Sequence, residues 1–577
     1  MPAACPASLS RQLPAWVQVW RWLLVAWMLG AAGGCASLPA NDDRTPSTAF
    51  SQPEQTPLGQ LAQQRRTQAG TRSDSAFLLL DTVESAFTSR IALVDGAHRS
   101  LDLQYYAIHA DASTEVLLGR IREAARRGVR VRILLDDFNS VGQDAAVLRL
   151  AFEPNIEVRL FNPLPGPRNS VLARVLVSLH DVDRMQKRMH NKLFIADSAW
   201  GITGGRNLGD RYFGSGDKQN FVDLDVLAAG RIVRDMSLSF DRFWNDKLAY
   251  PVQTLLDREE LDALSRPKPR PEPQPLESGA RVPLPAAQAQ PVLPVTASPT
   301  VLPSVTVGEA RQAERPPMDL RSVPLVWAPS TLLVDAPGKV GPGDEEVDAG
   351  ETVIDGLMNL MLQARQEVLI ISPYFVPGPR MMAVYEQLRQ RAVRVRVLTN
   401  SLASNDAPAA HAGYARYRQR LLDLGVELYE MRSDPETAAE LLGSSGGRGS
   451  GGGWLGSGPG GSKGDGAHAR ASLHSKAVVI DQRYSVIGSM NLDLRSQIQN
   501  SEVALLIRSP ALSQQAVRQV DATLASAAYR LEQRDGKLLW RAPQGAAFGN
   551  ETSEPGASTK LRVLVRVIGP FAPDEML

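Results

Sequence analysis

The sequence predicts an α/β protein made of two α/β/α sandwich domains, which are related by a pseudo-twofold axis and share one active site. Short apolar runs alternate with amphipathic segments along the chain, which favours βαβ units on a largely parallel sheet. The same series of segments then occurs a second time. The chain of 577 residues is long enough for two domains with sizeable cores.

The repeat can be followed element by element. Each copy has, in order, a helical pattern, a strand, a second helical pattern and two further strands. In the first copy these elements are predicted at 83–98, 101–108, 114–127, 129–136 and 156–162. In the second copy they are predicted at 352–365, 368–375, 380–391, 393–400 and 426–431.

One motif, H-x-K-x-x-x-x-D, occurs in both copies. Residues 189–211 align without gaps with residues 473–495, and in each a strand-like run, a turn and a second strand ending in glycine are predicted. The paired positions are His190 and His474, Lys192 and Lys476, and Asp197 and Asp481. Because the chain has only seven histidines, two copies of this motif are very improbable by chance.

The motif residues are suited to binding a phosphodiester and to attacking its phosphorus. Positions two apart on a strand face the same side, so each lysine points with its histidine. If the halves pack about a pseudo-twofold axis, two imidazoles and two ammonium groups converge on one pocket. The lysines can then neutralise non-bridging phosphate oxygens, while one imidazole attacks phosphorus and the other acts as acid and base. We expect neither a metal nor a cofactor.

Further polar residues are predicted to bind the substrate or to support the motif. The amides of Asn207 and Asn491 and the hydroxyl of Ser489 can donate to the same phosphate oxygens. Asp197 and Asp481 belong to the candidate catalytic motif, but they are expected to brace its turn more than to touch substrate.

Each imidazole also needs a partner that fixes its tautomer. Segments 221–228 and 500–507 align, and they pair Asp223 with Glu502, each of which follows the histidine of its own half. We predict that these two carboxylates orient the imidazoles. Asp225 is the alternative in the first half.

The duplicated motif, followed by GGRN and GSMN, resembles the phospholipase D superfamily and, within it, the bacterial cardiolipin synthase C-type branch. The strings LDLQYYAIHAD (101–111), RMHNKLFIAD (188–197) and ISPYFVPG (371–378) also carry this likeness. The resemblance implies a covalent phosphatidyl-histidine formed without a metal, with His190 as the nucleophile. One departure is Leu494, where the family pattern would have a proline.

The resemblance implies a phosphatidyltransferase that makes cardiolipin, with a phosphatidylglycerol hydroxyl resolving the intermediate. The donor is phosphatidylglycerol or phosphatidylethanolamine, and the need for an accessory protein is left open. One alternative is a hydrolase that releases phosphatidate, and another is a lipid-binding scaffold, against which two intact motifs argue. A net charge of +1 gives no field to hold a polyanion, so nucleic-acid binding is disfavoured.

The amino terminus resembles a lipoprotein leader. The apolar run 22–34 is shorter than a spanning helix and has the length of a signal-peptide core. Cys35 follows it as the predicted lipidation site, so 1–35 is interpreted as signal peptide and anchor. An uncleaved amphipathic anchor is the alternative. We expect a membrane-anchored protein of the bacterial cell envelope that faces the periplasm.

The rest of the chain divides by composition. Residues 36–75 are predicted to be a flexible tether, and 76–264 to be the first domain. Proline-rich residues 265–317 are predicted to form a disordered linker. The second domain is predicted at 318–577, with a mobile glycine-rich loop at 443–466. Because both cysteines lie within the first 35 residues, the body of the chain has no thiol chemistry.

Overall fold

A computed structural model describes residues 38–265, 315–341, 352–434 and 470–569, with short gaps in the first range. The gaps are residues 43, 141, 167, 169–173, 175–176, 179–180 and 217–218. The predicted leader 1–35 and the predicted loop 443–466 lie outside the described residues, as does 266–314 of the predicted linker.

The described residues form two nine-stranded sheets, one in each half of the chain. Across the first sheet the strands are Val326–Trp327, Ser75–Leu80, Asp225–Gly230, Trp200–Gly204, Leu193–Ala196, Ser100–Tyr105, Arg130–Asp136, Ile156–Phe161 and Ala249–Pro251. Across the second they are Ser330–Val334, Val503–Arg508, Tyr484–Gly488, Ala477–Ile480, Glu367–Ile371, Arg394–Asn400, Glu427–Met431, Ala528–Arg534 and Lys537–Arg541. A separate parallel pair, Gln219–Val222 with Arg470–Leu473, joins the halves.

Helices cover these sheets and connect their strands. The α-helices are Pro57–Ala69, Val83–Gly96, Ala112–Arg126, Val182–Gln186, Arg231–Trp244, Val252–Leu255, Arg258–Ser265, Val353–Met361, Gly378–Gln390, Pro408–Asp423, Leu494–Ile498, Pro510–Ser526 and Thr559–Ile568. Short 3-10 helices are Pro53–Gln55, Asp137–Asn139, Gly142–Phe152, Asp210–Tyr212 and Pro337–Val340. None of the helices within the described ranges has the length and apolar character needed to cross a bilayer.

The strands pack on both faces, as the predicted sandwich requires. In the strand Glu367–Ile371, Val368 and Ile370 join the core of the second half, whereas Leu369 and Ile371 join a central core. That central core also contains the helices Arg231–Trp244 and Pro510–Ser526, so it is shared by the two halves. The predicted α/β fold with two repeated units is confirmed.

The prediction of a largely parallel sheet is wrong. The βαβ units are parallel, as in the pairing of Ser100–Tyr105 with Arg130–Asp136. However, the motif strands Leu193–Ala196 and Trp200–Gly204 form a hairpin, and they add to the sheet as antiparallel strands. A two-strand hairpin reverses the chain direction without a crossover helix, so each sheet is mixed.

Of the segment predicted as a flexible tether, 36–75, Asn41 and residues 44–75 lie on the first domain. The Asn41 side-chain amide donates to the Lys247 carbonyl at 2.8 Å. The helix Pro57–Ala69 buries Leu58 in the first core, and the Trp200 indole donates to the Leu58 carbonyl at 2.9 Å. The predicted flexibility of this segment is wrong. Its composition is polar, but a few apolar residues such as Leu58 pack in the core of the domain.

The second domain begins later than residue 318, where the sequence placed it. Val326 pairs with Phe77 at the edge of the first sheet, and the backbone N–H of Met318 donates to the Thr88 carbonyl. Only with Ser330–Val334 does the chain enter the second sheet. The segment before it satisfies backbone groups of the edge strand Ser75–Leu80, which would otherwise lack partners on that side.

Candidate active site

The two motif histidines lie at the carboxyl ends of the parallel strands of their sheets. His190 comes just before the strand Leu193–Ala196, which runs antiparallel to Ser100–Tyr105, and His474 has the same place before Ala477–Ile480. The segments that carry each histidine and its lysine are therefore extended chain leading into a strand, not strand itself as the sequence suggested. Ligands commonly bind at this edge of an α/β sheet.

Backbone hydrogen bonds cross between the halves at both motifs. The N–H of His190 donates to the Ser501 carbonyl at 2.9 Å, and the N–H of His474 donates to the Val222 carbonyl at 2.8 Å. Because each motif is anchored on the opposite half, the two histidines are held in one site. Their charges also interact electrostatically with each other and with both motif lysines.

The orienting carboxylates bind the histidines crosswise. Nδ1 of His190 lies 3.0 Å from Oε2 of Glu502, and Nδ1 of His474 lies 2.6 Å from Oδ2 of Asp223. The sequence analysis paired each carboxylate with the histidine of its own half, whereas in the structure each carboxylate contacts the histidine of the other half. A carboxylate at Nδ1 favours the tautomer that carries the proton there and leaves Nε2 free.

Asp225, the alternative to Asp223, belongs to a different group. Its carboxylate lies 2.8 Å from Nη2 of Arg90 and 3.5 Å from Nη1 of Arg206, and all three side chains are buried. A buried carboxylate between two guanidinium groups is a structural ion pair, so Asp223 is the better candidate for the orienting residue.

The two motif lysines are buried side by side with the histidines. Nζ of Lys192 donates to the His190 carbonyl at 2.8 Å, and Nζ of Lys476 donates to the His474 carbonyl at 2.7 Å. Burial, followed by repulsion from Lys476, lowers the pKa of Lys192 to about 7. Burial also lowers the pKa of Lys476, although Asp223 and Glu502 oppose that shift. An anion that enters the site would raise the pKa of both lysines and so favour their charged forms.

The histidines titrate below their ordinary range. Burial and the charges of the nearby lysines together lower the pKa of His190 to about 4, against the opposing effect of Glu502. Burial and the lysine charges also lower the pKa of His474 well below its usual value. Both imidazoles are thus neutral at neutral pH, and a phosphodiester bound between the lysines would raise both pKa values again.

The shifted lysine predicts a pH dependence. Since the pKa of Lys192 is lowered to about 7, the free enzyme loses this ammonium charge as the pH rises through neutrality. We expect kcat/KM for a phospholipid substrate to fall above about pH 7, because kcat/KM reports the ionisation of the free enzyme. Activity that recovers on return to neutral pH controls for unfolding, and a constant kcat/KM up to about pH 9 would contradict the expectation.

Ser489, one of the three predicted phosphate-binding residues, contacts the orienting carboxylate Glu502. Its hydroxyl donates to Oε2 of Glu502 and accepts the Val503 N–H at 3.0 Å, and the Ser496 hydroxyl donates to Oε1 of Glu502 at 2.8 Å. The Glu502 backbone N–H in turn donates to Asp335. Burial raises the pKa of Glu502, but interactions with His190 and Lys192 and the hydrogen bond from Ser489 outweigh it, so the pKa lies below its ordinary value. Ser489 thus supports the carboxylate rather than pointing to phosphate.

Asn207 and Asn491 are buried in equivalent places. Nδ2 of Asn207 donates to the Tyr212 hydroxyl at 3.0 Å, whereas the Asn491 backbone N–H donates to the Ser496 hydroxyl at 3.2 Å. The side-chain oxygens of both asparagines have no hydrogen-bond partner within the described residues. Because an amide oxygen can only accept, a contact with a phosphate oxygen would have to come from the amide N–H groups of these two residues.

Asp197 and Asp481 brace the motif turn. Each carboxylate accepts hydrogen bonds from three consecutive backbone N–H groups, those of 98–100 in the first half and 365–367 in the second. Both residues also have positive φ, at 53° and 51°. These contacts tie the turn to the start of the neighbouring strand, so we assign the two residues to scaffolding.

Gly205 makes room for Asp223. A Cβ at this position would lie 2.1 Å from Oδ1 of Asp223. We therefore expect Gly205→Ala to displace the carboxylate from His474 and to lower activity by about 10²-fold or more. Gly119→Ala is the matched control, because a Cβ at this helical glycine meets nothing within 4 Å. Assays of both variants test this expectation, and an active Gly205→Ala enzyme would contradict it.

Aromatic residues that the sequence did not single out line the site. The Tyr106 ring lies 5.2 Å from the His190 ring, and the Tyr212 and Phe221 rings lie 5.3 Å and 4.8 Å from the His474 ring. Tyr212 and Phe221 also border a cavity of about 570 Å³. The signal that could have found Tyr212 is its place five residues after Asn207 in the motif.

Comparison with known proteins identifies the protein family of this chain. A family model described as cardiolipin synthase, phospholipase D-like domain matches residues 91–244 and 357–524, one match in each half. The chain belongs to this family, and it is an enzyme of the phospholipase D superfamily. The family and fold predicted from the sequence are confirmed.

Two relatives and one solved structure show how similar the chain is to individual known proteins. The chain is 34% identical to cardiolipin synthase C of Escherichia coli (strain K12), over 85% of this chain and 94% of that protein. It is 23% identical to cardiolipin synthase A of Edwardsiella ictaluri, over 78% and 69% respectively. Its fold is similar to that of phosphatidylserine synthase from Haemophilus influenzae Rd KW20, with a TM-score of 0.53 and 14% identity over 89% of this chain and all of that one.

Proposed function

We propose that the chain is a cardiolipin synthase-type phosphatidyltransferase that works through a covalent phosphatidyl-histidine. One observation carries the proposal. Two imidazoles, each bound at Nδ1 by a buried carboxylate, share a site with two buried lysines. The likeness to cardiolipin synthase C along most of both chains supports phospholipids as substrates.

In the first step, Nε2 of His190 attacks the phosphorus of a donor phospholipid. His474 takes up a proton when the anionic phosphodiester binds. The P–N bond then forms while the P–O bond to the donor head group breaks, and His474 gives this proton to the departing alkoxide. The products are phosphatidyl-His190 and the free head-group alcohol, which is glycerol from phosphatidylglycerol or ethanolamine from phosphatidylethanolamine. Glu502 stabilises the positive charge that develops on the His190 ring.

In the second step, a hydroxyl of phosphatidylglycerol attacks the same phosphorus. His474 takes the proton from this hydroxyl, the new P–O bond forms, and the P–N bond breaks to release neutral His190 and cardiolipin. One phosphodiester replaces another in the complete reaction, so no nucleotide is consumed. Lys192 and Lys476 neutralise the non-bridging oxygens, and Asn207 and Asn491 donate to them.

Labelled lipid distinguishes this proposal from its alternatives. The purified full chain is incubated with labelled phosphatidylglycerol, with and without phosphatidylethanolamine, and the lipid products are separated. Cardiolipin supports the transferase, whereas phosphatidate alone would indicate a hydrolase. If the protein forms neither product but still binds lipid, the result would favour the lipid-binding scaffold. His190→Asn protein serves as the blank for contaminating activity.

We also propose that Cys35 is lipidated and anchors the protein in the cell envelope. In cells given an alkyne fatty acid, the chain is expected to incorporate the label, and Cys35→Ser is expected to lose it. Cys5→Ser is the matched control, because Cys5 is the other cysteine of the chain and should leave labelling unchanged. Equal labelling of the Cys35→Ser protein would contradict the proposal.

A further inference from the structure

The helix Thr559–Ile568 has an exposed apolar face. Val563, Leu564 and Val567 are 54%, 45% and 59% exposed, and they supply three of the seven large exposed hydrophobic residues in the described ranges. The opposite face holds the helix to the protein, because Leu561 and Val565 pack on a small cluster. The exposed residues at positions i, i+1 and i+4 therefore form one continuous stripe.

Two exposed basic residues lie near this stripe, Lys560 one turn before Leu564 on the same face and Arg566 beside it. Lys560, Arg562 and Arg566 lie on the helix, and it has no acidic residue. Nη1 of Arg562 reaches the Ser553 hydroxyl at 3.3 Å, and Lys560 and Arg566 are exposed. An apolar stripe with cations beside it is complementary to the surface of an anionic bilayer, with acyl chains for the stripe and phosphates for the cations. The helix is too short to span a bilayer, so it would lie in the interface.

The helix also lies at the edge of the sheet that carries the site. Its inner face packs on Leu402 and Ala403, which directly follow the strand Arg394–Asn400. The side chain of Asn400 hydrogen-bonds both the N–H and the carbonyl of Leu473, the residue before His474. The apolar stripe and the reacting imidazole thus lie at the same carboxyl edge of the second sheet.

The anchored end of the chain reaches the corresponding edge of the first sheet. The side chain of Asn41 hydrogen-bonds the carbonyls of Lys247 and Ala249, and Ala249 pairs with Phe161 at the carboxyl end of its strand. Five residues lie between Cys35 and Asn41, so the two are six steps apart along the chain, a reach of at most roughly 20 Å. An anchor at Cys35 would therefore hold this edge close to the membrane.

We propose that the helix Thr559–Ile568 docks on an anionic lipid bilayer and holds the site edge against it. Val563, Leu564 and Val567 enter the acyl region, while Lys560 and Arg566 contact lipid phosphates. This surface is separate from the chemistry of the histidines, and it binds the bilayer whichever reaction the lipids then undergo.

An environment-sensitive fluorophore at Leu564 tests the insertion. Leu564→Cys is made in the full chain with Cys5→Ser and Cys35→Ser, so that the probe has one attachment site. Vesicles that mix phosphatidylglycerol with phosphatidylcholine should shift the emission to shorter wavelength and raise it several-fold, and added salt should weaken the change. Leu238→Cys, also exposed at 60%, is the matched control and should not respond.

Several results of the fluorescence test would overturn the docking proposal. They are an unchanged signal, an equal change with pure phosphatidylcholine, an equal change at Leu238, and a probe that is already shielded without vesicles. The last result would mean that another part of the chain covers the stripe.

A second variant separates docking from catalysis. Val563→Ser, Leu564→Ser and Val567→Ser together remove exposed side chains only, so the fold should be unaffected. Turnover of lipid in vesicles should fall by about tenfold or more, while turnover in detergent micelles should stay within about twofold. Equal turnover of vesicles by both proteins, or an equal loss in micelles, would contradict the docking proposal. If the unaltered protein turns over neither form of lipid, the proposed function fails, and the fluorescence test still stands.

Discussion

Asparagine in place of His190 should lower phosphatidyl transfer by about 10⁴-fold, the size expected when a nucleophile is removed from a unit of cooperating groups. Asparagine keeps a polar side chain that can still hydrogen-bond Glu502, and it removes the Nε2 atom that we assign to the attack on phosphorus. The loss should fall on kcat more than on KM, because the lysines that bind phosphate remain. The measurement is the initial rate of cardiolipin formation by the purified full chain.

Two further histidine variants complete this test. His474→Asn should lose a similar factor, since the leaving alkoxide then lacks its acid and the incoming hydroxyl its base. His98→Asn is the matched control, because the His98 side chain is exposed and only its backbone N–H contacts Asp197. If either His190→Asn or His474→Asn retained most of its activity in a folded protein, the assignment of the site would be wrong.

The crosswise pairing predicts the second large effect. Glu502→Gln should lower activity by roughly 10²–10⁴-fold, because a neutral amide can hold the wrong His190 tautomer and cannot stabilise its positive charge. Asp223→Asn should do the same to His474, whose Nδ1 lies 2.6 Å from the carboxylate. Each single variant should keep its fold, since the amides are close in size to the carboxylates that they replace.

Double variants show which histidine each carboxylate serves. Glu502→Gln should add little to His190→Asn, because that histidine is already gone, but it should add a further loss to His474→Asn. Asp223→Asn should show the reverse pattern. Rates from the single and double variants provide the measurement. A pattern in which each carboxylate couples to the histidine of its own half would contradict the exchange between halves.

Much of the fold was predictable because the repeat is strong locally. The predicted strand at 129–136 is observed as Arg130–Asp136, and the predicted helix at 83–98 as Val83–Gly96. In such segments the apolar period and the capping residues agree with the final structure. The mixed sheets were not predicted, because strand direction depends on which edge a hairpin joins, and this is decided by tertiary packing.

The residues of the site could be predicted from the sequence, but the hydrogen-bond contacts between them could not. The paired motifs identified His190 and His474, but alignment of the halves could only place Glu502 beside its own histidine. The exchange arises because each half contributes an edge segment to the other, as in the contact of His190 with Ser501. The role of Ser489 was missed for the same reason, since its target Glu502 serves a histidine of the other half.

Residues 44–69 show a second limit of predictions that rest on composition, because they pack on the first domain. This segment is polar and carries few apolar residues, yet Leu58 and Ala62 are buried in the first core. Arg132 and Arg159 also donate to carbonyls of Ser47 and Thr45, which fixes the chain across the domain. Contacts made by buried arginines with a distant backbone leave no periodic signal in the sequence.

Detection of the covalent intermediate tests the central claim most directly. The full chain is mixed rapidly with labelled phosphatidylglycerol and quenched with denaturant at mildly alkaline pH, which preserves the P–N bond and spares the acyl esters. It is then digested with trypsin and analysed by mass spectrometry. Cleavage after Arg188 and Lys192, and after Arg470 and Lys476, places the two histidines in separate peptides. We expect the phosphatidyl group on the peptide that contains His190, formed and lost at the rate of turnover. A phosphatidyl group on the His474 peptide alone, or turnover with no adduct on either peptide, would contradict the account.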